Sequence, residues 1–310
     1  MTCTLHRTLT VAVLMACAAA PLARLDAAPL TDGDSALTDD TEQESKPKEI
    51  ERLEAWPAPR NGKQLKVDVA RLRKANTEEM GTQAHIALIA EGAAAAPSLI
   101  SALGKEKGEA ARQRIKDVLD AVTGAPHTRL MAAEFDDKSE RVRIWCLRRV
   151  AAFPDPGVRD AAVAALKSAE QSKKSSKEEL YAAALCCTSA GDMAGLDRLA
   201  ERAEEEWKEY GEEIRTALES VRGKDATAVF VPLLSAEKRN TKVTGLRLLA
   251  GAGDPEVAVP LIKPFLDDTD NTLRVAAINA LRGIVDGEKP LDKLPVFEAI
   301  ELANEWKKRI

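Results

Sequence analysis

The sequence predicts an all-α protein in which similar pairs of helices pack one after another. Apolar residues recur at spacings of three and four, as in Val243, Leu246 and Leu249, and no stretch shows the sustained two-residue alternation of a strand. Turn residues recur at a nearly constant interval along the chain. Aromatic side chains are scarce, so the core must be built mostly from Ala, Leu, Val and Ile, which favour close packing of helix on helix.

The amino terminus has the layout of an export signal. Residues 1–7 carry one arginine, and an uncharged apolar run then extends from Leu9 to Ala20 before a series of small residues. This run is too short to span a bilayer comfortably, so we interpret residues 1–27 as a secretory signal peptide. The mature protein is therefore expected outside the cytoplasm, in the periplasm or the extracellular space.

Two kinds of processing fit this signal. A signal peptidase would cut after Ala18 or after Ala27, releasing a soluble protein. Alternatively, residues 14–17 (Leu-Met-Ala-Cys) resemble a bacterial lipobox, in which Cys17 is lipidated and becomes the first residue. Association with a membrane is expected only in the second case.

Residues 28–62 are predicted to form a disordered or extended linker. The stretch from Pro29 to Lys48 contains six acidic residues and few apolar side chains, so it cannot bury enough surface to offset its ordering entropy. Trp56 lies among prolines near the end of this linker. It is expected either to dock on the folded body or to belong to a short recognition motif.

The folded body is predicted to occupy residues 63–310 and to consist of a repeated unit. Equivalent turns fall at Gly92, Gly124, Asp155, Asp192, Asp225, Asp254 and Asp286, at intervals of 29 to 37 residues. Self-similarity at such a period, with each unit a helix pair, is typical of a solenoid. The turns predict about six to seven helix pairs.

Several residues predict where individual helices begin and end. Asp137 and Ser176 are each followed by a glutamate three residues later, as in a capping box, and Asp270 also suits an N-cap. Gly253 is expected to adopt the left-handed conformation past a helix end.

The last helix is expected to close the stack with a polar outer surface. Its glutamates should face the solvent, while Val296, Phe297, Ile300 and Ala303 should face the body.

Three segments carry a resemblance to a known family: residues 141–166, 241–266 and 272–288. They resemble HEAT repeats, of a short-period variety similar to that of bilin-lyase-like proteins, and the resemblance covers about residues 77–310. It implies a right-handed α-α superhelix, with the helix after each turn lining the concave face. The units are shorter than the usual HEAT period of roughly 40–47 residues.

No catalytic, metal or cofactor site is predicted. His85 and His127 are the only histidines after the signal peptide, and neither has a histidine or cysteine at metal-ligand spacing. No phosphate-binding loop or nucleophile motif occurs. Cys146, Cys186 and Cys187 are expected to be small buried residues, although a bridge from Cys146 to one of the pair remains open.

Four residues are candidates for contact with a partner. Arg129 and Arg159 fall at matching places in adjacent helices that follow a turn, so they would meet an acidic partner or form a solvated face. Trp207 and Tyr210 lie one helical turn apart in an acidic stretch. They are expected to form an exposed anchor pair or to fill the joint before Gly211.

A second set of charged residues is expected to be structural. Arg112, Arg143, Lys242 and Arg274 each lie twelve residues before a turn. The resemblance implies that this position pairs with acidic residues of the next unit.

The sequence therefore predicts a non-catalytic protein–protein interaction scaffold outside the cytoplasm. A net charge of −5 argues against a nucleic-acid partner, which would require a basic excess. The alternative is an enzyme of the bilin-lyase-like kind that acts on a small molecule or a protein-bound ligand. Such an enzyme would need a deep apolar cleft with converging polar groups.

Overall fold

The computed structural model describes residues 50–291 and 293–310, and within them all regular secondary structure is helical, without a strand. The all-α prediction is therefore confirmed. Short 3-10 turns join several of the helices, and a π-helical turn, Arg282–Asp286, extends the thirteenth. The helices are α1 (Gly62–Lys74), α2 (Glu78–Glu91), α3 (Ala96–Lys105), α4 (Glu109–Val122), α5 (Thr128–Ala132), α6 (Glu140–Ala151), α7 (Arg159–Gln171), α8 (Lys177–Ser189), α9 (Leu196–Glu219), α10 (Lys224–Leu234), α11 (Arg239–Ala252), α12 (Pro255–Ile262), α13 (Asn271–Leu281) and α14 (Val296–Arg309).

The predicted signal peptide, Cys17 and the linker up to residue 49 lie outside the described residues. The last part of the linker, residues 50–61, has no regular secondary structure but packs on the body. The Trp56 ring stacks on the ring of His127, with centroids 5.5 Å apart. The Leu53 amide donates a 2.9 Å hydrogen bond to the Pro126 carbonyl. Trp56 therefore docks on the body, the first of the two roles expected for it.

Successive helices contact one another in chain order. α6 packs against α8, α8 against α9, α9 against α11, and α11 against α13, while α7, α10 and α12 pack on α8, α11 and α13 respectively. One continuous apolar core extends from Leu65 in α1 to Trp306 in α14. In α11, Leu246, Leu248 and Leu249 are all fully buried, on a helix that contacts α9, α10 and α13. Burial of each helix pair thus depends on its neighbours.

The longest helix, α9, spans a length of chain in which the sequence predicts two separate helices. Its backbone is non-helical at Glu206, where φ is −141° and ψ is 44°. The arm before Glu206 follows the turn at Asp192, and the arm after it precedes the turn at Asp225. The kink therefore divides the segment between two of the predicted turn positions, Asp192 and Asp225, into two helical arms.

Aspartates in the turns start the helical segments that follow them. The side chains of Asp155, Asp192 and Asp254 each accept a hydrogen bond of 2.9–3.0 Å from the amide two residues later. Each such cap satisfies an amide that lacks a partner at a helix start and stabilises the fold by about 1 kcal/mol.

Two of the three predicted caps are confirmed. Ser176 accepts a hydrogen bond from the Glu179 amide, and Asp270 accepts one from the Thr272 amide. The prediction for Asp137 is wrong, because α6 begins at Glu140, directly after Ser139. The Asp137 carboxylate instead accepts a 2.6 Å hydrogen bond from the Ser139 amide within the preceding turn.

The left-handed conformation predicted for Gly253 is also wrong, since its φ is −67°. Space explains the residue instead: a Cβ at Gly253 would lie 2.6 Å from the Leu249 carbonyl oxygen. Gly251, within α11, has a similar role at the interface with α9. A Cβ there would lie 2.8 Å from the Arg215 carbonyl oxygen and 3.0 Å from the Leu218 Cβ.

The face that α14 buries differs from the expected one. Ala299, Ala303 and Trp306 are buried, whereas Phe297 is 70% exposed, and Val296 and Ile300 are also exposed. Small alanines on the inner face let α14 approach α13 and the 3-10 turn that follows α12. The prediction for Ala303 is therefore confirmed, and the other three residues face outward.

One helical stretch, Glu78–Lys105, is long and apolar enough to cross a membrane by length and composition. In the structure it comprises α2 and α3, separated at Gly92, whose φ is +67°. Leu88, Leu99 and Leu103 on the two helices belong to the common core. Core helices of soluble proteins pass the same test, and 44% of the most apolar window of this stretch is buried.

We expect Gly251→Ala to lower the free energy of unfolding by about 1–3 kcal/mol, because the added methyl group meets the backbone of α9. Urea unfolding followed by circular dichroism measures this change.

The matched control is Gly81→Ala in α2, where the new Cβ would have only ordinary contacts at 3.6 Å or more. That variant should leave the free energy of unfolding unchanged or raise it by up to about 1 kcal/mol, through higher helix propensity. Equal effects of the two substitutions would contradict the close approach of α9 and α11.

Candidate partner-binding site

The larger of two main grooves on the body crosses the second arm of α9, α11 and α13, and we call it the α9–α13 groove. Its volume is about 810 Å³. Residues 289–291, which follow the end of α13, close one side of it. Its apolar lining consists of Val243, Ala250, Val275, Ala276, Pro290 and Leu291.

Charge in the α9–α13 groove is predominantly positive. Four basic residues line it against a single acid, Glu212, although the whole chain has a net charge of −5. Arg215 pairs with Glu219 at 2.6 Å, and Lys289 lies 3.3 Å from Glu212. The other two bases, Lys208 and Arg247, have no carboxylate within 4.0 Å among the described residues.

Trp207 forms part of this groove, directly after the kink in α9. Its ring lies so close to Gly211 that a Cβ at that glycine would be 2.6 Å from the ring. The Arg247 guanidinium lies over the same Trp207 ring, 5.1 Å from its centroid. The predicted partner residue Trp207 is thus partly buried, and it presents its surface to the groove together with Arg247.

Tyr210 is not available as an exposed anchor, because it is only 7% exposed. Its ring meets Tyr181 edge-on, with centroids 4.8 Å apart, and the Arg202 guanidinium lies 4.1 Å from its centroid. The structure therefore corrects the exposed-pair interpretation for Tyr210. Its ring instead packs between α8 and α9, against Tyr181.

A smaller groove of about 550 Å³ lies between α4 and α6. Its central arginine, Arg148, is paired with Glu178 at 2.9 Å and with Glu213 at 2.6 Å. The Trp145 indole on its wall donates a 3.0 Å hydrogen bond to Asp120. Its central arginine and its tryptophan are thus already engaged by carboxylates of the protein.

The structure places Arg129 and Arg159 in ion pairs that join one unit to the next. Arg129 lies 3.2 Å from Asp155, and Arg159 lies 2.8 Å from Asp192, the aspartates of the following turns. The two arginine side chains remain 57% and 54% exposed. Their contact with a partner stays a prediction, but each arginine is already engaged by a carboxylate.

These ion pairs also help to lower the pKa values of the two aspartates. Burial alone would raise the pKa of Asp155, but the Gly157 amide and the guanidiniums of Arg129 and Arg52 bring the pKa below its usual value. Asp192 behaves likewise: burial opposes ionisation, while the Ala194 amide and Arg159 together hold its pKa low. Both carboxylates are therefore charged at neutral pH, and the stability that they contribute is lost as the pH falls below the ordinary aspartate pKa of about 3.9.

The family resemblance implies that the helices after each turn line the binding face, but neither groove is lined mainly by these helices. α4, α6, α11 and α13, and the second arm of α9, all come before a turn, whereas Arg129 and Arg159 lie just after one. Of the four candidate residues, only Trp207 lies in a groove. The positions of the groove residues relative to the predicted turns could have identified them from the sequence. Ile144, Val243 and Val275 lie eleven residues before their turns. Arg148, Arg247 and Asn279 lie seven residues before the same turns. All six residues line the grooves.

Of the four charged residues twelve before a turn, the three arginines have structural contacts, whereas Lys242 has no side-chain hydrogen bond or ion pair among the described residues. Arg112 and Arg274 donate to the carbonyls of Lys107 and Asp268 in the turns that precede their helices. Arg143 makes a similar bond to the Asp137 carbonyl and a 2.5 Å contact with Glu179 of the next unit. The predicted pairing with an acid of the next unit therefore holds for Arg143.

The three cysteines in the body are buried and free. Burial raises the pKa of each thiol, to about 12 for Cys187, so none of the three resembles a reactive thiolate. Across residues 50–291 and 293–310, no group of three or more His, Cys, Asp or Glu residues is placed to hold a metal ion.

Comparisons with known proteins add little to this geometry. No family model matches the sequence, and no protein with a curated description matches it. Among solved structures, the crystal structure of an engineered protein is similar over 77% of this chain and 71% of its own, at 19% identity and a TM-score of 0.37. A likeness of that size carries no argument about the function of this chain.

We expect the double charge reversal Arg129→Glu with Arg159→Glu to lower the free energy of unfolding by about 1–2 kcal/mol, because each glutamate would face an aspartate. Thermal unfolding at low salt measures the change.

Lys167→Glu, an exposed substitution in α7, is the matched control, since no carboxylate lies within 4.0 Å of Lys167 among the described residues. The double variant changes the net charge twice as much as Lys167→Glu does. A loss half as large in the control would therefore show that net charge, rather than the ion pairs, determines the effect.

Proposed function

We propose that this chain is a non-catalytic scaffold of HEAT-like repeats that binds a protein partner outside the cytoplasm. The observation that carries the proposal is the α9–α13 groove, an open surface of about 810 Å³ that crosses three successive packed helices and includes Trp207. Grooves with an apolar lining and a few polar groups are typical binding sites, and Trp is a frequent centre of binding energy at protein interfaces.

The proposed architecture is a right-handed α-α superhelix of about six to seven helix pairs. Helix packing in chain order supports it, as does the kink at Glu206, which divides α9 into two helical arms. A stack of this kind presents side chains from many units along one surface, which suits the recognition of a protein segment.

The non-catalytic part of the proposal has support from the composition of the grooves. Among the described residues that line the two grooves, none is a histidine or a cysteine. In the smaller groove, Arg148 is paired with Glu178 and Glu213, and Arg149 lies 3.9 Å from Asp120. The bilin-lyase-like enzyme stays the alternative, and it would act in one of these grooves.

Export rests on the sequence of residues 1–27. The proposed partner is therefore a protein of the periplasm or the extracellular space, and a membrane would be involved only through lipidation of Cys17.

Site-specific photo-cross-linking in the native cell envelope tests this function. A benzophenone amino acid replaces Lys208, which is exposed and lines the α9–α13 groove. We expect a discrete adduct with one protein, identified by mass spectrometry, because a partner in the groove must pass within reach of this position.

The control probe replaces Ala228 of α10, which is exposed and lines neither groove. It should give no adduct with that protein. The absence of an adduct at Lys208, or the same adduct from both positions, would contradict the groove as the contact surface.

A further inference from the structure

Arg247 differs from Arg148 and Arg215 in having no carboxylate within 4.0 Å among the described residues. Arg148 contacts Glu178 and Glu213, and Arg215 contacts Glu219. Among residues 50–291 and 293–310, the Arg247 guanidinium also has no hydrogen-bond acceptor, and its side chain lines the α9–α13 groove. Arg247 therefore lines the α9–α13 groove without an ion-pair or hydrogen-bond partner in the part of the chain that the structure describes.

The surroundings of Arg247 make an unpaired charge costly. The side chain is half-buried, and burial lowers its pKa. An arginine does not lose its proton in a protein, so the cost of removing its charge from water is not relieved by deprotonation. A carboxylate that entered the groove would relieve it.

Trp207 and the positive charges of the groove favour a ligand with a carboxylate. The guanidinium lies over the Trp207 ring, which limits its motion and leaves N–H groups for a planar acceptor. A carboxylate matches this fork with two parallel hydrogen bonds. Lys208 adds a second positive charge without an ion-pair partner among the described residues, and both would attract an acidic segment to the groove.

The apolar side chains that line the groove indicate the chemistry of the rest of the ligand. Val243, Val275 and Leu291 line the same groove as Arg247, so aliphatic side chains beside the acid would be buried there. Nucleic acid is less suited than a peptide, because the chain as a whole is negatively charged and would repel an extended polyanion.

We propose that Arg247 receives the side-chain carboxylate of an Asp or Glu in the protein partner, within an extended segment that lies along the α9–α13 groove. This inference rests on the proposed function, and it identifies the chemistry of the partner as an acidic residue flanked by aliphatic ones.

Selection from a phage-displayed library of random linear peptides, with the full mature chain as bait, tests the proposal. We expect the selected peptides to share an acidic residue at one position. Synthetic versions with amidated carboxyl termini remove the terminal carboxylate as a competing source. Replacing the shared acid by Asn or Gln should then weaken binding to the wild-type protein by about 10- to 100-fold, the range for a charge-assisted hydrogen-bonded pair.

The decisive comparison uses Arg247→Gln, with Arg239→Gln as the matched control in the same helix. Arg239 pairs with Asp270 and does not line the groove. Arg247→Gln should bind the acidic peptide and its amide version equally weakly, whereas Arg239→Gln should behave like the wild type. Circular dichroism melting of each variant establishes that the fold is retained.

Other outcomes separate the two proposals. If the selected peptides lack a shared acid but lose binding on Trp207→Ala, the groove remains the binding site and the carboxylate inference fails. The inference also fails if loss of the acid weakens the wild type and Arg247→Gln alike, or if inorganic phosphate displaces the peptides more strongly than acetate at equal ionic strength. If no peptide is selected, or if none responds to a groove variant, the proposed function fails as well.

Discussion

The fold depends on close contact between the backbones of successive helices, which the interface of α9 and α11 illustrates. Gly251 presents no side chain to the Arg215 carbonyl, and the two helices therefore approach closely enough to bury Leu218 and Leu249 completely. Arg222 follows the end of α9 and donates hydrogen bonds to the carbonyls of Gly251 at 2.9 Å and Gly283 at 3.2 Å. It thus satisfies free carbonyls at the ends of two later helices, where a positive charge also interacts favourably with the helix dipoles.

The same arrangement recurs elsewhere in the chain. Arg114 of α4 donates to the Leu72 and Arg73 carbonyls at the end of α1, at 2.9 and 3.3 Å. Arg149 of α6 bonds to the Thr123 side chain, just past the end of α4, at 3.1 Å. In each case, a helix end that would otherwise need water is closed by an arginine from another part of the chain. Packing and capping together hold the helices that precede each turn in a fixed row, and the residues on their outer surface form the walls of the two grooves.

The local features of the fold were accessible from the sequence, whereas its tertiary contacts were not. The turn interval and the caps at Ser176 and Asp270 depend on residues close in the chain. Gly253 was misread because its requirement is space beside Leu249 and Ile284, not a left-handed backbone. The inner face of α14 was misassigned because two neighbouring faces are both apolar.

The candidate site also shows this difference between local features and tertiary contacts. Trp207 was identified from its residue type, but the burial of Tyr210 depends on Tyr181 and Arg202, which other parts of the chain supply. Arg247 shares its repeat position with Arg148, so comparing the units position by position would have drawn attention to it. The pairing of Arg148 depends on Glu178 and Glu213, which lie 30 and 65 residues beyond it in the chain. Arg247 has no such carboxylate in the part of the chain that the structure describes.

The dependence of each helix pair on its neighbours can be measured directly with the isolated segment 239–267, which contains α11, α12 and the following 3-10 turn. In the whole protein, Leu246, Leu248 and Leu249 of this segment are buried against α9, α10 and α13. Without those neighbours, short helices are only marginally stable in water. We expect the far-ultraviolet circular dichroism of the monomeric segment to be that of a largely unfolded chain. A stable helical spectrum with a cooperative thermal transition would contradict the view that these helix pairs are folded by their neighbours.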